Sequence, residues 1–192
     1  MPSPVSSRLT FRAALRRFRG NRGGSAAVEF ALIAPIFFGL LFAIIETALV
    51  FFSGQVLETI TQNSARVVLT GQAQSGSVAA CAVSGVAAPC TQATFKSYVC
   101  SQIPVLFDCN SLYVDVTSFS SFSAVTLPTH LDAACNFGTN MNYSAGNAGD
   151  IVVVRLFYQW PLFVTGLGYN IGCSSTNKRL LVATAAFKNE PY

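Results

Sequence analysis

Residues 24–52, GSAAVEFALIAPIFFGLLFAIIETALVFF, decide how the rest of the chain is read. The run opens on Gly24, carries a carboxylate at Glu29, and from Phe30 to Phe52 is apolar apart from Glu46 and Thr47. Residues 30–52 in an α-helix would extend roughly 34 Å, enough to cross the hydrocarbon core of a bilayer. Pro35 removes one backbone donor, a loss that a membrane helix tolerates. A cleaved secretory signal does not fit, because the run is too long and no small-x-small site closes it. Glu46 reads two ways: it needs a partner inside a helical bundle, or it marks the outer end of a shorter span.

Working outward, the leader MPSPVSSRLTFRAALRRFRGNRGG (residues 1–24) places Arg8, Arg12, Arg16, Arg17, Arg19 and Arg22 ahead of the first acid, Glu29. Of 12 Lys/Arg and 8 Asp/Glu in the chain, that leaves six bases against eight acids, so the net +4 belongs to the leader. An arginine cluster that runs straight into an apolar helix is a topology signal rather than a nucleic-acid-binding arm. It places the amino terminus in the cytoplasm and the rest outside the inner membrane. Phe11, Leu15 and Phe18 recur at helical spacing, as in a short amphipathic helix on an anionic leaflet or a plain basic flank. All six cysteines, Cys81, Cys90, Cys100, Cys109, Cys135 and Cys173, follow the apolar run. An even count on one side of a membrane points to disulfides in an oxidising compartment. Zinc would want paired C-x-x-C spacings with histidines, and His130 stands alone.

Past Phe52 the apolar pattern narrows to a stripe (Val56, Leu57, Ile60, Val67, Val68), so the helix is expected to continue to about Thr70 and to end at Gly71. Gly71–Pro89 is rich in small residues and reads as a linker with a loop. Thr91–Ile103 has the spacing of a short amphipathic helix. LYVDVTSF (112–119), DIVVVRLFYQW (150–160) and LLVATAAF (180–187) read as strands, although the alanines of the third also suit a helix, with a Gly/Asn/Ser-rich loop over 136–149. The fold class is therefore α+β: a long amino-terminal transmembrane helix, then a small disulfide-containing antiparallel β-rich domain. The organisation is a basic leader (1–24), a transmembrane and stalk helix (25–70), a linker or loop (71–90) and an outer α+β domain (91–192).

Gly24, four residues, Glu29 and a long apolar helix resemble the processing site of type IV prepilins and pseudopilins, where a membrane aspartic peptidase cuts after the glycine. The resemblance implies that Ser25 becomes the mature amino terminus and Glu29 its fifth residue. On physical grounds Glu29 reads two ways: it neutralises the free ammonium of an incoming subunit in a fibre, or it sits at the membrane interface close to its arginines. A carboxylate in that position costs about 2.5–3.5 kcal/mol at the bilayer centre, less near an interface, and an ion pair in a dry bundle fixes register more than it stabilises. RRFRGNRGGSAAVEFALIAPIF, ARVVLTGQAQ, FKSYVCSQI, LFDC, GDIVVVRLFYQWPLF and KRLLVATAAFKNEP together resemble the TadE-like proteins, minor pilins or pseudopilins of tight-adherence (Tad) pili. The carboxyl-terminal segments are similar to alphaproteobacterial members. The resemblance implies a pilin-like fold and a role in pilus assembly at the tip with surface adhesion. The partners it implies are the prepilin peptidase, other pilins and the Tad assembly platform. The alternative is an anchored periplasmic binding or adhesion module that does not polymerise.

No catalytic pattern emerges: His130 has no nucleophile partner, Asp108, Asp115, Asp132 and Asp150 lack calcium-loop spacing, and no phosphate-binding glycine loop occurs. No enzyme activity, cofactor or small-molecule substrate is expected. Locality and strand placement favour the pairs Cys81–Cys90, Cys100–Cys109 and Cys135–Cys173 among fifteen connectivities. Loops of about 10 and about 39 residues are worth roughly 2.7 and 3.9 kcal/mol. Cys135 is therefore expected to matter more than Cys81, whose neighbourhood reads as loosely structured.

Overall fold

The computed structural model describes Arg16 and residues 24–103, 107–134, 136–164 and 177–192. The expected Cys135–Cys173 bridge and the amphipathic reading of the leader lie outside the described residues. The chain divides into two compact units, residues 1–42 and 43–192. Helix α1 (Ser25–Leu69) crosses the division and runs through Pro35 without ending.

In the first unit α1 is apolar on every side. Phe30, Leu32, Ile33, Ile36, Phe37 and Leu40 are all exposed, so the surface that is dictated by sequence here is one for lipid or for other helices. In the second unit the pattern changes. Glu46, Val50, Ser53, Leu57, Ile60, Ser64 and Val67 are buried in alternating steps of four and three, the spacing of a helix with one face against a partner. On this face Thr61 Oγ1 donates to Leu57 O at 2.8 Å and Ser64 Oγ accepts from Gln102 Nε2 at 3.3 Å, whereas the buried Ser53 Oγ has no hydrogen-bond partner among the described residues. Gly71 stops the helix with φ 74°. A side chain there would also strike the ring of Tyr192, 2.4 Å from the position of a Cβ. Only glycine meets both demands.

Segment 71–90, read as a linker, is folded. α2 (Gln72–Ser75) and a 3₁₀ turn (Ala79–Cys81) follow α1, Cys90 N donates to Ala73 O at 2.8 Å, and Cys81 is fully buried. The expectation of a loose neighbourhood for Cys81 is corrected: short apolar side chains bury well without showing any period. The disulfides Cys81–Cys90 and Cys100–Cys109 flank α3 (Gln92–Ser101). Thr91 begins α3 with a reciprocal cap, its side chain accepting from Thr94 N while Thr94 Oγ1 accepts from Thr91 N.

The sheet is antiparallel in the order β1 (Leu112–Phe119), β2 (Ile151–Pro161), β3 (Lys178–Lys188). The register sets Val116 against Val154 and Val154 against Ala185. Alternation sorts the two faces. Leu112, Val114, Val116, Val152, Val154, Leu156, Leu181, Ala183 and Ala185 share a core with Leu57, Ile60 and Val68 of α1. The opposite face of β2 is buried too, with Pro128, His130 and Phe137 lying against it. Phe137 lies 4.9 Å from Tyr113 and 5.7 Å from Phe157, and the His130 ring meets Phe157 edge-on at 4.9 Å. Under this cover sits a buried ion pair. Arg155 donates to Asp115 Oδ2 from NH2 at 2.7 Å and from Nε at 3.1 Å, and to Pro128 O from NH1 at 2.9 Å. Asp115 Oδ1 accepts from Asn142 N at 2.9 Å.

Removing one partner of such a pair leaves a buried charge uncompensated, at a cost of about 3–5 kcal/mol. Asp115→Val and Arg155→Met are each expected to destabilise the detergent-solubilised protein by that order. The double variant should lose clearly less than their sum. A double-mutant cycle from urea unfolding checks this, and strictly additive losses would remove the pair from its place in the core.

Candidate functional site

Gly24 immediately precedes α1, whose first residue is Ser25. A Cβ on Gly24 meets nothing within 4 Å, and its φ lies outside the left-handed range. Neither packing nor backbone conformation therefore demands glycine at this position, which contrasts with Gly71. Glu29 is exposed, in the second turn of α1 and between exposed Val28 and Phe30. The structure thus sets Gly24, Ser25 and Glu29 in one stretch at the start of an apolar helix, as the spacing implies.

Glu46 is the site residue that sequence reading left open. It is 6% exposed and faces the body of its own unit. One carboxylate oxygen accepts from the backbone N–H of Phe163, and the other accepts from Val164 N at 3.1 Å. Both amides belong to the segment that leaves β2 after Pro161 and Leu162. The partner for the mid-helix acid is thus a pair of main-chain donors 117 and 118 residues further along the chain. A carboxylate that accepts backbone N–H bonds is the charge-assisted case and is stronger than a neutral pair.

Asp108, Asp132 and Asp150 are occupied by local hydrogen bonds. Asp108 accepts from Asn110 N at 3.0 Å and Asp150 from Asn147 N at 2.8 Å. Asp132 holds the turn 132–136. The Asn136 side chain, followed by the Asn136 backbone, keeps its carboxyl below the usual range. His130 Nε2 lies 3.1 Å from Arg155 NH2. As Arg155 has only donors, a hydrogen bond between the two needs that nitrogen as the acceptor. Burial pushes the Tyr143 hydroxyl up to about 12. Among the described residues no group of three or more His, Cys, Asp or Glu side chains converges as a metal centre requires.

α1 is, among the described residues, the one helix long and apolar enough to cross a membrane. That makes the chain consistent with a single-pass anchor. Residues 24–66 match the family model of the TadE-like proteins, the family that the amino-terminal motif resembles. No curated protein matches the chain, and no solved structure does.

The Glu46 clamp yields a graded expectation. Glu46→Leu removes the acceptor of two part-buried main-chain donors and should cost about 1–3 kcal/mol, whereas Glu46→Gln keeps an acceptor and should cost nearer 1. Denaturant unfolding followed by the fluorescence of Trp160, the single tryptophan, measures both. Native stability in Glu46→Leu would mean that the clamp contributes nothing.

Proposed function

We propose that this protein is a minor pilin or pseudopilin of a Tad pilus, made as a precursor and cut after Gly24 by a prepilin peptidase. Ser25 is then the mature amino terminus and α1 the retained anchor. The amino terminus is cytoplasmic, and the disulfide-bonded domain lies in the periplasm. From there the protein enters the fibre through contacts with other pilins and the assembly platform, caps its tip and supports surface adhesion. One observation carries the reading. The TadE-like match begins at Gly24 and covers the helix to residue 66, and between Phe30 and Ile45 of that segment α1 exposes apolar side chains on all sides. Helix–helix packing in a fibre core and lipid in a membrane are the two surroundings that such a surface accepts.

Gly24 adds a second support. A glycine that the fold does not require is explained by recognition, since a peptidase site needs close backbone approach at the scissile bond. An anchored module that never polymerises would require neither Gly24 nor Glu29.

Gly24→Val is sterically free in this structure, so it is expected to leave full-length precursor in the inner membrane with its outer domain folded. A Gly24→Val protein still shortened by its leader would overturn the cleavage. Glu29→Ala is expected to be cut normally but to give few pili by electron microscopy. Wild-type piliation would reduce Glu29 to an acid at the membrane boundary.

A further inference from the structure

The end of the sheet where β2 passes toward β3 carries Phe163, whose side chain is 81% exposed. Its backbone is fixed, because the Phe163 and Val164 amides both donate to Glu46. Helix side chains lean toward the amino terminus, so Phe163 is held at the level of Glu46 on α1 or on the amino-terminal side of it.

The exposed face of α1 shows what lies at that level. Ile44, Ile45, Leu49, Phe51 and Phe52 are exposed, and the first exposed polar side chain beyond them is Gln55. The apolar surface therefore extends six residues past Glu46, about 9 Å at 1.5 Å per residue. The polar layer of one leaflet is of similar depth, roughly 5–8 Å by difference between total and hydrocarbon thickness. Lys178, opposite Pro161 in the register, is exposed at the same end of the sheet. An aromatic ring with a neighbouring lysine is the composition of a bilayer interface, where the ring enters the headgroup layer and the ammonium meets phosphate.

We propose that Phe163 and Lys178 form a lipid-contacting surface of the outer domain, with Phe163 inserted into the interfacial layer of a phospholipid bilayer and Lys178 on its phosphates. The proposal rests on reading α1 as a membrane anchor. Continuity with the exposed apolar turns Ile44–Phe52 and the positive charge of Lys178 both favour lipid over a protein partner. Through the Glu46 clamp this contact sets the height at which the domain stands on the membrane before assembly.

The full-length protein is reconstituted in vesicles of phosphatidylcholine and phosphatidylglycerol, with and without bromine on the acyl chains. Phe163→Trp is the reporter and Phe122→Trp the control. Phe122 is exposed and follows Phe119, which pairs with Ile151 at the opposite end of β2. Across the 11 residues of β2 that is about 33 Å away. Wild-type protein, with Trp160 buried, sets the baseline. The tryptophan at 163 is expected to emit to the blue of that at 122 and to lose most of its added emission to brominated lipid, while that at 122 is unaffected. If the vesicles float with the protein but both tryptophans are unquenched, Phe163 faces water or another protein and the proposal falls, while the anchor stands. If the protein does not float with vesicles, the anchor reading falls and this proposal with it.

Discussion

One helix has to satisfy two surroundings along its length, and the rest of the molecule is arranged around the place where they change. Up to Ile45, α1 offers apolar side chains in every direction. From Glu46 onward it buries a single face in steps of four and three. The change cannot be left to hydrophobicity alone, because Glu46 falls inside the apolar run and an unpaired carboxylate there is costly. The amides of Phe163 and Val164 resolve this by supplying two main-chain donors. The same bonds attach the end of β2 to the helix, so the acid that looks like a flaw in an anchor fixes the sheet to it. At the other end Glu190 N donates to Leu69 O at 3.0 Å, and β3 is thereby tied near the last turn of α1.

Between those two ties the domain is built in layers. The helix covers one face of β2 with aliphatic side chains, and Pro128, His130 and Phe137 lie on the other. That second cover combines the ring contacts of His130 and Phe137 with Phe157 and directional bonds: Pro128 O and His130 on Arg155, and Asn142 on Asp115. Such a network adds little net stability, since desolvation of the charges offsets their attraction, but it specifies one arrangement of the loop. The two disulfides bracket α3 on the helix side and serve a region of small residues in which burial alone gives little.

Much of this was legible in the sequence. β1 follows from its alternation and is found at 112–119 as read, β2 from its apolar run between Gly149 and Pro161, while the alanines of β3 suited a helix as well. α1 ends one residue from the expected position because Gly71 is the only residue type that fits there. Two kinds of feature were hidden. Segment 71–90 looked like a linker because alanine and small polar residues carry no periodic signal, although Ala73, Val78 and Cys81 are buried. Ser53, Thr61 and Ser64 were likewise passed over as polar, while their positions, three or four residues from Leu57 and Ile60, marked the buried face. The partners of Glu46, Asp115 and Arg155 are distant in sequence, and main-chain donors leave no trace in side-chain identity. Asp115 did offer a hint, as it stands opposite Arg155 once the two strands are paired.

The central claim is that α1 survives as the first element of the mature protein, with Ser25 at its start. The amino-terminal residue of the protein extracted from membranes, read by sequencing and by intact mass, tests it most directly. The account predicts Ser25 with the rest of the chain intact. Met1 or Pro2 at the terminus would contradict processing, and a terminus beyond Phe52 would show that the helix is a removed signal rather than an anchor.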